Sequence, residues 1–227
     1  MSNQQNMLAR PVPLAAADGS SNVAELPLDG VGDAALLGAL VQGNQRAAAV
    51  IWQRYSTLVR RALARSLGPD QEIEDLLQEV FIGFIKSAAK VDQRASLRAY
   101  LISIAYRTAA MEIRKRKVRR WVTLTPSGDV PEVPSSNAGH DGLPDEGRAL
   151  RSLYRILDTL SARDRLIFIA RHIDGMQIDE TAVALKVSRA TVWRTGKATL
   201  MDVLAKAQRD PALAAYVERA LQNGKDQ

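Results

Sequence analysis

The chain has 227 residues, with 31 Lys+Arg against 25 Asp+Glu, a formal net charge of +6, and no cysteine. Without thiols there is no disulfide framework, cysteine nucleophile or cysteine-ligated metal centre. His140 and His172 do not form a metal-ligand spacing, no apolar run approaches the roughly 18 residues that span a bilayer, and residues 1–30 lack the pattern of a signal peptide. A cytoplasmic protein with no metal and no cofactor is the expectation. The surplus charge is local: residues 107–120, RTAAMEIRKRKVRR, hold seven basic residues and one acid, and the rest of the chain balances. Charge concentrated in this way is the footprint of a polyanion partner.

Residues 1–32 are rich in Ser, Asn, Gly, Pro and Ala without a sustained period and read as a flexible arm. From Asp33, a candidate N-cap, a short helix is predicted to about Gly43. The next segment places Ile51, Tyr55, Leu58, Val59, Ala62 and Leu63 at helical spacing and stops at Gly68-Pro69. A third helix, about Gln71 to Ala89, puts Ile73, Leu76, Leu77, Val80, Phe81, Phe84 and Ile85 on one apolar stripe. Its first half is crowded with Glu72, Glu74, Asp75, Gln78 and Glu79, which suits the helix dipole. A fourth, about Ser96 to Lys117, buries Leu97, Leu101, Ile104 and Ala105 and ends in the basic run.

Residues 123–147 carry four of the nine prolines and read as a linker. Helical period returns from Arg148 with Leu150, Leu153, Tyr154, Leu157 and Leu160, and Ser161 with Asp164 looks like the capped start of a helix carrying Leu166, Ile167, Ile169 and Ala170. In Gln177-Ile178-Asp179-Glu180-Thr181-Ala182-Val183-Ala184-Leu185-Lys186-Val187-Ser188-Arg189-Ala190-Thr191-Val192-Trp193-Arg194 a short helix, a three-residue turn and a helix capped by Ser188 follow one another. This is a helix-turn-helix pattern, whose second helix enters the major groove. A last helix is expected from Pro211 to about Gln222, with packing on the preceding module as its default role. No alternating strand pattern occurs. The expected fold is all-α: a helical module at 33–122, a linker at 123–147, a helix-turn-helix module at 148–208 and a C-terminal helix and tail at 209–227.

The acidic helix Ile73-Glu74-Asp75-Leu76-Leu77-Gln78-Glu79-Val80-Phe81, followed by a basic helix and a C-terminal helix-turn-helix, resembles a bacterial RNA polymerase sigma factor of the extracytoplasmic-function class. The resemblance covers roughly residues 33–205. It implies that the first module is sigma region 2, which binds the core polymerase clamp and melts the minus-ten element, and that the second is region 4, which reads the minus-thirty-five element. Asp75, Gln78, Glu79 and Phe81 are then expected to dock on core polymerase. Arg98, Tyr100, Tyr106, Arg107, Arg114, Lys115, Arg116 and Lys117 are expected on minus-ten DNA. Ser188, Arg189, Ala190, Thr191, Trp193, Arg194 and Lys197 are expected on minus-thirty-five DNA.

The partners implied are core RNA polymerase, promoter DNA and an anti-sigma factor, with no membrane contact except through such a partner. A 25-residue linker reaches about 80 to 90 Å. A 17-base-pair spacer needs about 50 to 60 Å. The acids Asp129, Glu132, Asp141, Asp145 and Glu146 would suit a basic channel.

The match departs from the family at telling places. The family pattern Ile-Ala-Arg-Asn reads Ile104-Ala105-Tyr106-Arg107 here, and Met111 stands at the usual Asp. Gly196 inside the recognition helix predicts fraying or bending there. No phosphate-binding glycine loop, metal cluster or nucleophile triad appears, so no enzyme is expected. Two other readings compete: a degenerate sigma-like decoy that occupies polymerase or an anti-sigma factor without initiating, and a free-standing helix-turn-helix regulator.

Overall fold

The computed structural model describes residues 30–68, 73–91, 96–123 and 145–223, and among them the chain is helix and turn without a strand. The N-terminal arm up to residue 29 and the linker acids Asp129, Glu132 and Asp141 lie outside the described residues.

Helix α1 (Asp33–Val41) is not capped by Asp33; Gly32 holds that position. The Asp33 carboxylate instead ties α1 to α2 (Gln45–Leu67). It accepts from Arg54 Nη1 at 2.9 Å and from the Tyr55 hydroxyl at 2.5 Å. Burial and this carboxylate push the Tyr55 phenol up to about 12. Asn44 caps α2 by accepting from the amides of Arg46 and Ala47. Gly68 ends it at φ +94°, a conformation essentially restricted to glycine.

Helix α3 (Ile73–Ser87) buries Ile73, Leu76, Leu77, Val80, Phe81 and Phe84 against α2 and α4 (Leu97–Thr123). Ile85, expected on that stripe, is 49 % exposed. Twelve residues at about 100° each carry it roughly 120° round from Ile73, whereas Phe84 comes back to within about 20°. The basic run is helical throughout, since α4 continues past Lys117 to Thr123.

The second module comprises α5 (Asp145–Thr159), α6 (Ala162–Phe168), a π turn (Ile169–Ile173), α7 (Ile178–Leu185), α8 (Arg189–Arg209) and α9 (Ala214–Asn223). Helix α5 starts three residues before Arg148, and Glu146 lies in its first turn, where a carboxylate favours the dipole. Ser161 caps α6 by accepting from the Asp164 amide at 3.1 Å. Leu157, Leu160, Phe168, Ile169, Val203 and Ala207 form this module's own core, and Leu213 and Val217 join it, so the C-terminal helix packs on the module.

The two cores are not separate. Ala162, Leu166, Ala170 and Ala184 of the second module belong to the same buried cluster as Leu77, Leu101 and Tyr106 of the first. Tyr154 of α5 donates to the carbonyls of Ala64 and Arg65, both at 3.2 Å, and its ring lies 3.2 Å from where a Gly68 side chain would begin. Gly68 is thus fixed twice, by its backbone conformation and by a neighbour from the other module.

Candidate polymerase and nucleic-acid interfaces

Three surfaces carry the residues singled out in the sequence. On α3, Asp75, Gln78 and Glu79 are exposed. Glu74 beside them is held by Arg60 through bonds of 2.7 and 3.0 Å, and that guanidinium lowers its carboxyl below the usual carboxylate range. Phe81 does not belong to this surface: it is 5 % exposed and lies under Trp52, with ring centroids 4.6 Å apart. Its place is taken by residues that periodicity alone did not bring forward. Ile82 is 51 % exposed, and with Ile85 it extends the row Asp75, Gln78, Ile82, Ile85 at alternating spacings of three and four. The face is therefore acidic at one end and apolar at the other. Asp75 and Glu79 both border a cleft beside α4 with Thr108, Met111, Glu112 and Lys115.

The basic helix divides its side chains between two directions. Tyr100, Ile104, Arg107, Met111 and Arg114 repeat at four and three residues and line one wall of an open groove of about 690 Å³. Arg163, Leu166, Leu185 and Val187 of the second module help to form the groove's remaining lining. Tyr100 is half-buried and donates to Ser87 Oγ at 3.1 Å, its ring edge-on to Phe84. Arg98, Arg107 and Arg114 are exposed. Met111, at the family's Asp position, is 58 % exposed on the groove wall.

Another row of the same helix faces the second module. Tyr106 is fully buried, and its hydroxyl donates to Asp174 Oδ2 at 2.5 Å. Burial first, and then the charge of Asp174, pushes this phenol far above its ordinary value. Lys117 donates to the Leu160 carbonyl, and Arg120 lies 3.9 Å from Asp158. Arg116 and Lys115 flank the buried Glu112 at 2.9 and 3.7 Å. Of the eight side chains expected on minus-ten DNA, Tyr106 and Lys117 are thus bonded to the second module, while Tyr100, Arg107, Lys115 and Arg116 have partners within the first. A basic run cannot reveal from its sequence which cations a partner module will claim, because that depends on non-local packing.

The helix-turn-helix has its local chemistry in order. Glu180 accepts from the Gln177 amide at 2.8 Å to start α7, and Lys186 takes a left-handed φ of +53° in the turn. Ser188 then caps α8 by accepting from the Thr191 amide at 3.1 Å. Ile167, Ala182 and Val192 are buried in the angle between the helices. Ser188, Arg189, Ala190, Trp193, Arg194 and Lys197 are exposed on the outer face, and Thr191 is half-buried against Ser188. Trp193 is 61 % exposed with Lys197 Nζ 5.8 Å over its ring, and Arg189 pairs with Asp179 at 2.7 Å.

Gly196 does not fray this helix, since α8 runs unbroken from Arg189 to Arg209. The glycine is buried where α6 and the π turn come close, and its carbonyl oxygen lies 3.1 Å from His172 Nε2. A methyl group there would meet Ile167 and Arg171 at 3.8 Å, which is ordinary contact. Gly196→Ala should therefore raise stability by up to about 1 kcal/mol, read by urea denaturation, with the DNA-facing side chains undisturbed. Loss of stability would mean that α6 and α8 need to approach more closely than this.

Among the described residues no cluster of His, Asp and Glu could hold a metal ion, and no helix is long and apolar enough to cross a membrane. Two family models match the chain: Sigma-70 region 2 over residues 51–119 and Sigma-70, region 4 over residues 150–197, together more than half of it. The ECF RNA polymerase sigma factor SigX of Bacillus subtilis is 34 % identical over 125 residues, which span 55 % of this chain and 64 % of SigX. The RNA polymerase sigma factor CnrH of Cupriavidus metallidurans is 29 % identical over 173 residues, 73 % of this chain and 90 % of that protein. In fold the chain is similar to CnrH in complex with the cytosolic domain of CnrY, with a TM-score of 0.56 and 19 % identity over 78 % of this chain and 98 % of that one. It is also similar to the sigma factor RpoE in complex with the anti-sigma factor NepR from Bartonella quintana, with a TM-score of 0.51 and 18 % identity, covering 70 % and 95 %. With a region 2 bundle, a basic helix, a region 4 helix-turn-helix and these relatives, the chain belongs to the extracytoplasmic-function class of RNA polymerase sigma factors.

Proposed function

We propose that this chain acts in the cytoplasm as a promoter-specificity subunit. It docks on core RNA polymerase through the Asp75, Gln78, Ile82 and Ile85 face of α3, with Glu79 beside it. It meets the minus-ten element with the groove wall of α4, where Tyr100 supplies a stacking surface and Arg98, Arg107 and Arg114 supply cations for phosphates. It reads the minus-thirty-five element with the outer face of α8. The observation that carries this reading is the separation of three exposed faces of different chemistry, acidic-apolar, basic-aromatic and helix-turn-helix, on one small helical chain. Residues 33–122 and 148–208 form the two working modules, and 209–227 extends the second. The similar RpoE structure is a complex with an anti-sigma factor, and a regulator of that kind is the further partner of this chain.

The test is reconstitution. The chain is added to sigma-free bacterial core polymerase, and run-off transcripts from fragments of its own genome are sequenced. Specific start sites are expected. Core binding without initiation on any native promoter would replace this reading with a decoy, and sequence-specific DNA binding without core would replace it with a free-standing regulator. Within that assay Arg194→Ala should weaken upstream-element binding by about 1 to 3 kcal/mol and relax preference at one base pair. A uniform loss across all sequences would make Arg194 a phosphate contact instead.

A further inference from the structure

The outer face of α8 is built from few side chains, and several of them are held by neighbours within the protein. The Ser188 and Thr191 hydroxyls bond each other at 2.8 Å, and the Ser188 oxygen also accepts the Thr191 amide. Arg189 is drawn back toward α7 by Asp179, 2.7 Å away. The exposed centre of the face is then Ala190 with Trp193 and Arg194, which follow it by three and four residues and so adjoin it on the helix surface.

Trp193 is the large apolar member of this group. It is 61 % exposed, while Val192 next to it in sequence is fully buried. Lys197 Nζ stands 5.8 Å from the ring centroid, so a cation covers one face of the indole and restrains it. The exposed remainder of the ring is apolar surface held ready for a partner. It is placed early in the helix, about 6 Å along the axis from Arg189. That is the stretch which a motif of this kind sets against base edges.

Duplex DNA presents edges in its major groove, not faces, so an indole there has no base to stack on. Most of what it meets is polar, and an indole with a single N–H strips water from such groups without replacing it. One apolar group breaks that pattern, the methyl of thymine. Ala190 adds a methyl of its own beside the ring, and Arg194 and Lys197 flank the pair with positive charge suited to the phosphates on either side.

We infer that Trp193, with Ala190 beside it, reads the methyl group of a thymine in the upstream promoter element. One A·T pair is thus recognised by apolar contact rather than by hydrogen bonding. The inference rests on the proposed reading of the minus-thirty-five element by α8 and names the base chemistry to which one of its side chains answers.

The test uses the chain bound to core polymerase and duplexes carrying the upstream element of a promoter from which it initiates. Each thymine in turn is replaced by deoxyuridine, which removes the methyl and leaves base pairing intact. At one thymine the replacement should lower affinity about fourfold, the worth of one buried methyl-sized group. Trp193→Ala should bind the thymine duplex about tenfold more weakly and treat thymine and deoxyuridine alike, and Trp193→Phe should keep the discrimination in part. Arg194→Ala should lower affinity for both duplexes equally. Both Trp193 variants change an exposed side chain, and far-ultraviolet circular dichroism checks that the helices stay formed.

Indifference to the methyl at every thymine of a duplex that is bound sequence-specifically overturns the inference, as does a methyl effect that survives Trp193→Ala. So does a Trp193→Ala chain that loses affinity for core polymerase while keeping the parent's discrimination, which would make the indole a polymerase contact. A chain with no sequence preference on any promoter fragment would instead overturn the promoter reading itself, a result that loss of one methyl contact could not produce.

Discussion

Ile82→Asp together with Ile85→Asp should lower affinity for core RNA polymerase by at least about a hundredfold while leaving thermal stability almost unchanged. Both side chains are about half exposed, at 51 and 49 %, so the free protein loses little when they become polar. In the docked state each isoleucine is worth about 1.5 to 3 kcal/mol if fully covered, and a carboxylate in its place must be desolvated as well. Asp75→Ala with Glu79→Ala removes charge from the same end of the molecule and should reduce the association rate and its salt dependence more than the final affinity. Phe81→Ala supplies the contrast. Buried beneath Trp52, Phe81 should cost about 3 to 5 kcal/mol of stability, because its loss empties part of the core. Core affinity measured on surface-immobilised polymerase, with melting curves for each variant, separates the two classes. Equal docking by the double aspartate variant would remove α3 from the interface.

The contrast between Ile85 and Phe81 also marks how far the sequence could be read. Local chemistry was largely legible: Ser161 and Ser188 each precede a helix and each caps it by accepting a backbone amide, although Asp33 does not cap α1. The helix-turn-helix was legible for the same reason, since its turn, caps and angle-filling apolar residues lie within eighteen consecutive positions. Angular placement near the end of a stripe was harder, because a few tens of degrees decide whether a side chain meets core or solvent. The periodicity places both Phe81 and Ile85 on the apolar stripe and the resemblance adds Phe81 to the docking face, whereas the helix buries Phe81 and exposes Ile85. Least legible was anything set by contact between modules. Tyr106, Lys117 and Gly68 look like ordinary members of their own helices, yet their partners lie 68, 43 and 86 residues away in sequence. Gly196 belongs to the same group: as a helix glycine it reads as a weak point, and only the close approach of α6 explains its burial.

Leu166→Ala, which leaves every proposed interface residue in place, should destabilise the chain by about 2 to 5 kcal/mol. Leu166 is 1 % exposed and packs in the cluster that both modules share, beside alanines too small to close over the space it would vacate. The informative quantity is where that loss is felt. Trp52 packs on Phe81 within the first module, so a chain with Trp121→Phe and Trp193→Phe reports unfolding of that module through Trp52 fluorescence alone. If the shared cluster makes the two modules one cooperative unit, Leu166→Ala should lower the urea midpoint seen by Trp52 as much as the midpoint seen by helical circular dichroism. A shift confined to the second module would mean that the modules unfold independently and that their contact adds little to stability. The coincident case has a functional corollary. A residue of region 4 would then set the stability of region 2, and the free energy needed to separate the modules on a promoter would include the cost of uncovering Leu166.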